Sequence, residues 1–130
     1  MQSKIYVVTH KPFILSQELL KKGYQLITVG DVECNEGVRD NQGINIASRN
    51  ANYCELTAMY WIWKNSDAPY KGLCHYRRYF TNATLKYRES KILGLDEAVL
   101  QLRREKRSII VPERKYLPIS NKDLYLGCGF

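Results

Sequence analysis

The alternation of strand-like and helix-like segments constrains the fold of this sequence more than any other feature. Residues 4–9 and 24–29 are runs of β-branched, aromatic and aliphatic residues that end at turn-forming residues, a pattern that predicts two buried strands. Strands that alternate with helices along a chain form a sheet with helices on its faces, so we expect an α/β fold. The predicted elements are strand 4–9, helical turns within 13–22, strand 24–29, helix 53–64, strand 71–74, helix 95–107 and strand 108–111.

The predicted helix 53–64 is apolar on nearly every face. It follows a polar stretch, residues 31–51, which is rich in Asn, Asp and Gly and is long for a loop inside one domain. Asn52 is the predicted N-cap, and Glu55 lies three residues later, as in a capping box. Because apolar side chains surround the helix axis, we expect neighbouring elements to bury it on several sides. Core packing is accordingly the preferred interpretation of its large side chains, Met59, Tyr60, Trp61 and Trp63.

The size and charge of the chain limit its class and its partners. Its 130 residues have the length of one domain, and 45% of them are hydrophobic, which is enough for a packed core. The 20 Lys and Arg residues outnumber the 13 Asp and Glu residues, and the resulting net charge of +7 favours an anionic partner. The basic residues are spread along the chain without a polybasic tail, so we expect no nucleic acid partner.

The beginning of the chain and its cysteines indicate a cytoplasmic location. Strand-like residues follow Met1 almost at once, without the apolar segment and cleavage site of a signal peptide, and no apolar run is long enough to span a membrane. The four cysteines, Cys34, Cys54, Cys74 and Cys128, include no CxxC pair. We therefore expect free thiols in a reducing compartment and no metal site.

Cationic and imidazole side chains follow two of the predicted strands, 4–9 and 71–74. Ligands of open α/β sheets bind beyond the carboxyl ends of the strands, which is where these side chains lie. The adjacent guanidinium groups of Arg77 and Arg78 suit phosphate oxygens, and His75 is the candidate catalytic residue because it can supply a hydrogen bond or a proton. A surface turn with solvated arginines is the alternative. The candidate ligands of a diphosphate are Thr9, His10, Lys11, His75, Tyr76, Arg77 and Arg78.

Amide and carboxylate groups in and after the polar stretch are candidates for binding the hydroxyl groups of a ribose or a sugar. They belong to Asp40, Asn45, Asn50 and Glu55. Ordinary loop chemistry is the alternative for the first three, and helix capping is the alternative for Glu55. The sequence contains no Walker loop and no GxGxxG, GxSxG or HExxH motif, so the enzyme classes defined by those motifs are not indicated.

Several blocks of the sequence resemble the signature of a bacterial glycosyltransferase family. Members of this family act in capsular and exopolysaccharide biosynthesis, and the family was formerly a domain of unknown function. The combination of the helix block with HYRRYF shortly after it is specific, and the resemblance extends from residue 4 to about residue 112. The blocks are KIYVVTHK at 4–11, NI at 45–46 with Asn50, YCELT at 53–57, YWIWKN at 60–65 and GLCHYRRYF at 72–80.

The resemblance implies a GT-A-like nucleotide-diphospho-sugar transferase fold, in which a Rossmann-like mixed sheet is flanked by helices. The implied reaction transfers a sugar from a nucleotide-diphospho-sugar to a growing capsular, exopolysaccharide or O-antigen glycan. Such folds usually carry an Asp-x-Asp that holds a divalent metal against the diphosphate, whereas this chain has HYRR at 75–78 and no acidic pair there. We therefore hypothesise that Arg77 and Arg78 neutralise the leaving diphosphate in place of a metal. No cofactor is assigned, and Mn²⁺ and Mg²⁺ stay open.

This chain also departs from the family pattern in its polar loop and in its length. Family members usually read Asp-Asn-Ile-Ser where this chain has Ile-Asn-Ile-Ala at 44–47, so a carboxylate and a hydroxyl group are missing. Family domains are longer than this chain, which therefore looks truncated at its C-terminus. We expect residues 1–112 to form a nucleotide-sugar-binding α/β domain, and residues 113–130 to form an irregular tail that begins a missing acceptor half.

The expected partners follow from the same resemblance. They are a nucleotide-sugar donor and a lipid-linked or polysaccharide acceptor. A truncated sheet leaves an open apolar face that favours a homodimer, and the basic residues 103–107 favour peripheral contact with the inner membrane. A solvated helix end is the alternative for that basic segment. Two other functions stay open, namely a non-catalytic nucleotide-sugar-binding remnant of such an enzyme and a basic nucleic-acid-binding module.

Overall fold

A computed structural model of the chain describes residues 1–33, 36–81 and 91–113. Four strands and four α-helices lie within these residues, with a short 3₁₀ turn at Ala47–Arg49. The strands are β1 (Lys4–Thr9), β2 (Tyr24–Thr28), β3 (Val38–Arg39) and β4 (Lys71–His75). The helices are α1 (Gln17–Lys21), α2 (Asn50–Tyr53), α3 (Leu56–Asn65) and α4 (Leu95–Glu105).

The four strands form one parallel sheet in the order β3-β2-β1-β4. β1 is central, and its Val7 is in register with Leu26 of β2 on one side and with Cys74 of β4 on the other. The predicted α/β fold is therefore confirmed. The sequence did not reveal β3, which has only two residues, and the predicted strand 108–111 is wrong because those residues form no strand.

Helices cover both faces of the sheet at β1 and β2. The side chains of these strands point alternately to the two faces, so both faces carry apolar residues. Each face has its own apolar cluster, and α1 packs on one face while α3 packs on the other. This arrangement explains why the two strands read as nearly continuous apolar runs. One cluster contains Ile5, Val7, Leu15, Leu19, Tyr24, Leu26 and Ile92, and the other contains Tyr6, Val8, Ile27, Val29, Ala58 and Ile62.

Gly23 fixes the start of α4 against the connection between α1 and β2. Its φ of +91° lies in the region that favours glycine, and a Cβ atom at this position would be 2.7 Å from the Cβ of Leu95. The backbone N–H of Leu95 donates to the carbonyl of Lys22 at 2.8 Å. The close approach and this hydrogen bond bring α4 to the same face of the sheet as α1.

The helix predicted over residues 53–64 is interrupted at Cys54. The φ of Cys54 is +48°, so α2 ends at Tyr53 and α3 begins at Leu56. The prediction of Asn52 as an N-cap is therefore wrong. Glu55 occupies the N-cap position of α3, but its side chain makes no capping hydrogen bond.

α3 is buried on one side only. Thr57, Ala58 and Ile62 are buried, whereas Met59 is 52% exposed and Trp63 is 64% exposed. The prediction that neighbours enclose this helix, with Met59 and Trp63 in the core, is therefore wrong; Tyr60 and Trp61 are intermediate in exposure. The Lys64 ammonium lies 3.7 Å from the centre of a Trp63 ring, so a cation–π contact covers part of the exposed indole.

Nearly all of the predicted C-terminal tail lies outside the described residues, which end at residue 113. The thiols of Cys34 and Cys128 also lie outside them, whereas Cys54 and Cys74 are free. Within the described ranges, every helix is too short or too polar to cross a bilayer.

Candidate functional site

An open cavity of about 650 Å³ lies at the carboxyl ends of β1 and β4. Val8 of β1 and Leu73 of β4 supply apolar walls, and charged or titratable groups border the rest of the cavity. The strand order changes direction at this place, since β2 and β3 lie successively to one side of β1 whereas β4 lies on the other. In open α/β sheets such a switch point is where ligands bind. The polar and titratable side chains that line the cavity are Glu55, Cys74, His75, Arg77 and Arg78.

A tight turn brings both arginines to this cavity. The backbone N–H of Arg78 donates to the carbonyl of His75 at 2.8 Å, and the N–H of Tyr76 donates to Val8 of β1 at 3.0 Å. The turn is thereby attached to the end of the central strand. Both arginines are exposed, and neither guanidinium pairs with a carboxylate among the residues that the structure describes. Two cations are thus available to an anionic ligand.

Both ring nitrogens of His75 face a partner. The Nδ1 atom accepts the backbone N–H of Arg77 at 3.2 Å, and the Nε2 atom lies 3.5 Å from a carboxylate oxygen of Glu55. Desolvation lowers the pKa of His75, as do the positive charges of Arg77, His10 and Arg78, while Glu55 partly offsets them. The ring is therefore neutral at pH 7, and because Nδ1 accepts a hydrogen bond, its proton lies on Nε2, the nitrogen nearer to Glu55.

Glu55 reaches the cavity because of the break between α2 and α3. The left-handed backbone of Cys54 turns the chain directly before it, and the Glu55 carbonyl then accepts the N–H of Ala58 at 3.1 Å. Its backbone is thus held in the first turn of α3, while its side chain, 46% exposed, extends beside His75. The sequence marked Glu55 as a sugar ligand, but it gave no indication that Glu55 and His75 are neighbours.

Thr9, His10 and Lys11 border the site without lining the cavity. The Thr9 side chain is buried, and its hydroxyl accepts the N–H of Lys11 at 3.1 Å and donates to the carbonyl of the same residue at 2.8 Å. The His10 ring packs edge-on against Tyr76 with centroids 5.7 Å apart. His10 and Lys11 are exposed on the rim. The hydroxyl of Thr9 therefore shapes the loop, and Lys11 adds a positive charge near the opening.

Asp40, Asn45 and Asn50 are not brought to the cavity. Asp40 is buried and accepts a hydrogen bond from the hydroxyl of Thr57, while the Asn50 side chain donates to the same hydroxyl at 3.2 Å. Asn45 bonds within its own loop, to the carbonyl of Gly43 and the N–H of Ala47. Burial raises the pKa of Asp40, and the Thr57 hydrogen bond and the charge of Arg39 oppose that effect. Asp40 and Asn50 therefore hold the polar stretch against α3, while Asn45 stabilises its own loop.

The described residues that line the cavity do not form a donor set that suits a divalent cation. Mg²⁺ and Mn²⁺ prefer several oxygen ligands, whereas the described lining offers one carboxylate beside two guanidinium groups. Within the described ranges, no group of three or more His, Cys, Asp or Glu side chains is placed to hold a metal ion. Burial raises the pKa of the Cys74 thiol to about 12, so at neutral pH this side chain is a neutral part of the wall.

Comparison with known proteins assigns the chain to a family. No curated protein matches the sequence significantly. A solved structure described as the WbbM bifunctional glycosyltransferase in its apo form is 34% identical, with a TM-score of 0.49. That match covers 65% of this chain, which spans only 15% of the other. The profile of the family DUF4422, described as a domain of unknown function, matches residues 4–128. The chain therefore belongs to the DUF4422 family.

Proposed function

We propose that this chain carries the nucleotide-diphosphate-binding site of a GT-A-like glycosyltransferase. The reaction would transfer a sugar from a nucleotide-diphospho-sugar to a growing glycan. The resemblance of the YCELT, YWIWKN and HYRRYF blocks to a polysaccharide-building family supports this reaction class. The same resemblance supports a capsular, exopolysaccharide or O-antigen acceptor, which is lipid-linked or already polymeric.

The observation that carries the proposal is the pair of arginines at the switch point of the sheet. Arg77 and Arg78 line the cavity, and neither guanidinium is neutralised by a carboxylate among the described residues. Guanidinium groups present planar donors that match the oxygens of a diphosphate. An anionic ligand that enters the cavity at the carboxyl ends of β1 and β4 therefore meets two cations in the turn that follows β4.

These arginines also suit the chemistry of glycosyl transfer. When the bond between the sugar and the diphosphate breaks, negative charge develops on the leaving phosphate oxygen. Cations fixed beside that oxygen stabilise the transition state more than the ground state, which lowers the barrier. Because the cavity offers a poor donor set for a divalent cation, we assign this role to Arg77 and Arg78.

Calorimetric titration with UDP, GDP and CDP, with and without Mn²⁺, tests the proposal. We expect one nucleoside diphosphate to bind in the absence of metal. Loss of a charge-assisted hydrogen bond costs about 1.5–3 kcal/mol. Arg77→Ala and Arg78→Ala should therefore each weaken binding about 10- to 100-fold. The matched control is Arg104→Ala, which removes an exposed cation from the end of α4 and should leave the affinity unchanged.

Two results would contradict the proposal. Binding that depends strictly on Mn²⁺ and survives the loss of both arginines would place the diphosphate elsewhere. Equal weakening by Arg104→Ala would show that the nucleotide responds to net charge rather than to this cavity.

A further inference from the structure

The first observation concerns the proton-accepting capacity of His75, the residue that the sequence marks as the candidate catalytic group. A neutral imidazole has one nitrogen with a lone pair, and in this structure that nitrogen is Nδ1. Its lone pair accepts the backbone N–H of Arg77 within the turn after β4. The other nitrogen carries the proton and faces Glu55. His75 therefore has no free lone pair to accept a proton from a ligand.

The second observation is that Glu55 supplies the carboxylate of the same cavity. It is the only acidic side chain among the described lining residues. Its Oε1 atom lies 3.5 Å from Nε2 of His75, and the carboxylate forms no ion pair with Arg77 or Arg78 among the described residues. The carboxylate, 46% exposed, is thus open to a ligand that enters the cavity. Although Glu55 occupies the N-cap position of α3, its side chain makes no capping hydrogen bond there.

We propose that Glu55 accepts the proton of the attacking hydroxyl group, and that His75 is a positioning residue that holds the Glu55 carboxylate. The inference rests on the proposed function. It assigns to this chain the group that activates the acceptor.

The step balances within the groups named. The oxygen of the acceptor hydroxyl forms a bond to the anomeric carbon of the donor sugar, and its proton moves to a Glu55 oxygen. The bond between the anomeric carbon and the diphosphate oxygen breaks, and its electron pair leaves with the diphosphate. Arg77 and Arg78 stabilise the charge that develops there. Water in place of the acceptor gives hydrolysis of the donor by the same route.

Release of nucleoside diphosphate from UDP-, GDP- and CDP-sugars, measured with the full chain, tests this assignment. Removal of a positioned general base typically lowers the rate by about 10²- to 10⁴-fold. Glu55→Gln should therefore lose turnover by at least a factor of about 100, while its affinity for the nucleoside diphosphate stays within about twofold of the wild type. Glu97→Gln, which removes an exposed acid on α4, should turn over like the wild type.

A second pair of variants tests the role of His75. His75→Gln keeps an N–H group that can reach Glu55, whereas His75→Ala does not. We expect His75→Ala to lower kcat with little change in KM for the donor, and His75→Gln to recover most of that loss. If His75 served only to stabilise the fold, its loss would not lower kcat selectively while KM stays nearly unchanged.

The outcomes separate the inference from the proposed function. Turnover by Glu55→Gln at the wild-type rate would overturn the inference and leave the nucleotide site intact. A wild-type chain that binds a nucleoside diphosphate but releases none from any nucleotide-sugar would overturn it as well. A wild-type chain that binds no nucleotide would instead overturn the proposed function, and the inference with it.

Discussion

The hydroxyl group of Thr57, in the first turn of α3, donates a hydrogen bond to the carboxylate of Asp40, directly after β3. Both side chains are buried, with exposures of 0% and 1%. The backbone N–H of Asp40 also donates to Thr28 of β2 at 3.2 Å. Asp40 therefore joins the edge of the sheet to the helix that carries Glu55.

Two substitutions of Asp40 distinguish the stability gained from its hydrogen bond with Thr57 from the stability lost by burying its negative charge. Burial raises the pKa of Asp40, so the folded state favours the protonated carboxyl group. The stability that this protonated group contributes is lost as the pH rises through the pKa of Asp40 in the folded state. Asp40→Asn keeps an oxygen that accepts from Thr57 and carries no charge. We expect it to match or exceed the wild type at pH 7, and Asp40→Ala to lose about 1–3 kcal/mol. Urea unfolding at pH 4 and pH 7 measures both, and equal losses for the two variants would contradict this account.

The imidazole of His75 should make stability depend on pH. Because its folded pKa lies below its ordinary value, the stabilising contribution is present above about pH 6.5. It is lost as the pH falls through the folded pKa. Thermal unfolding between pH 7.5 and pH 5 should show a decrease that His75→Gln reduces. NMR titration should place the His75 pKa below that of a model histidine, and Arg77→Ala should raise it. A His75 pKa at or above the model value would refute this prediction.

The backbone strain at Cys54 can be tested by comparing the stabilities of two variants. Its φ of +48° with ψ of −127° is a combination that side chains with a Cβ atom avoid. Such a conformation costs on the order of 1–3 kcal/mol, which glycine relieves at an unfolded-state cost of up to about 1 kcal/mol. Cys54→Gly should therefore be more stable than Cys54→Ala, which keeps the Cβ atom. Guanidinium unfolding compares the two, and a less stable glycine variant would argue against strain at this position.

Asn65 should hold the polar loop on α3. Its side-chain oxygen accepts the N–H of Ile44 at 3.1 Å, and its amide donates to the carbonyls of Ile44 at 2.7 Å and Trp61 at 2.9 Å. Loss of these bonds in Asn65→Ala should lower stability by about 1–2 kcal/mol. It should also accelerate hydrogen exchange at residues 42–46. Asn41→Ala, an exposed loop asparagine, is the matched control, and equal exchange in both variants would remove the anchoring role.

The elements that the sequence predicted correctly are those with a strong local pattern. β1 and β2 coincide with runs of apolar residues, and β4 and α4 coincide with the predicted strand 71–74 and helix 95–107. β3 has only two residues and therefore no recognisable pattern in the sequence. It forms because it pairs with β2 and because the Arg39 side chain donates to the carbonyl of Gly30 at 2.8 Å. The burial of α3 was overestimated because hydropathy does not reveal which faces of a helix find neighbours.

The candidate site was predictable in part for a related reason. The turn with Arg77 and Arg78 follows a strand, and the topology of α/β sheets places such residues at the ligand edge. The contact between Glu55 and His75 was not predictable, because it depends on the break at Cys54, and nothing in the sequence marks a left-handed cysteine. The hydrogen bonds of Asn65 to the polar loop likewise depend on a contact between residues 21 positions apart.

The pairing of β4 with β1 links ligand binding in the cavity to the stability of the fold. The cavity joins residues near position 8 to residues near position 75, so it exists only in chains in which β4 is paired with β1. A ligand of this cavity therefore favours the folded ensemble as a whole. At a free concentration 100 times its Kd, such a ligand stabilises the native state by about 2.7 kcal/mol. A thermal-shift series over nucleoside diphosphates would thus rank ligands by affinity before any reaction is known.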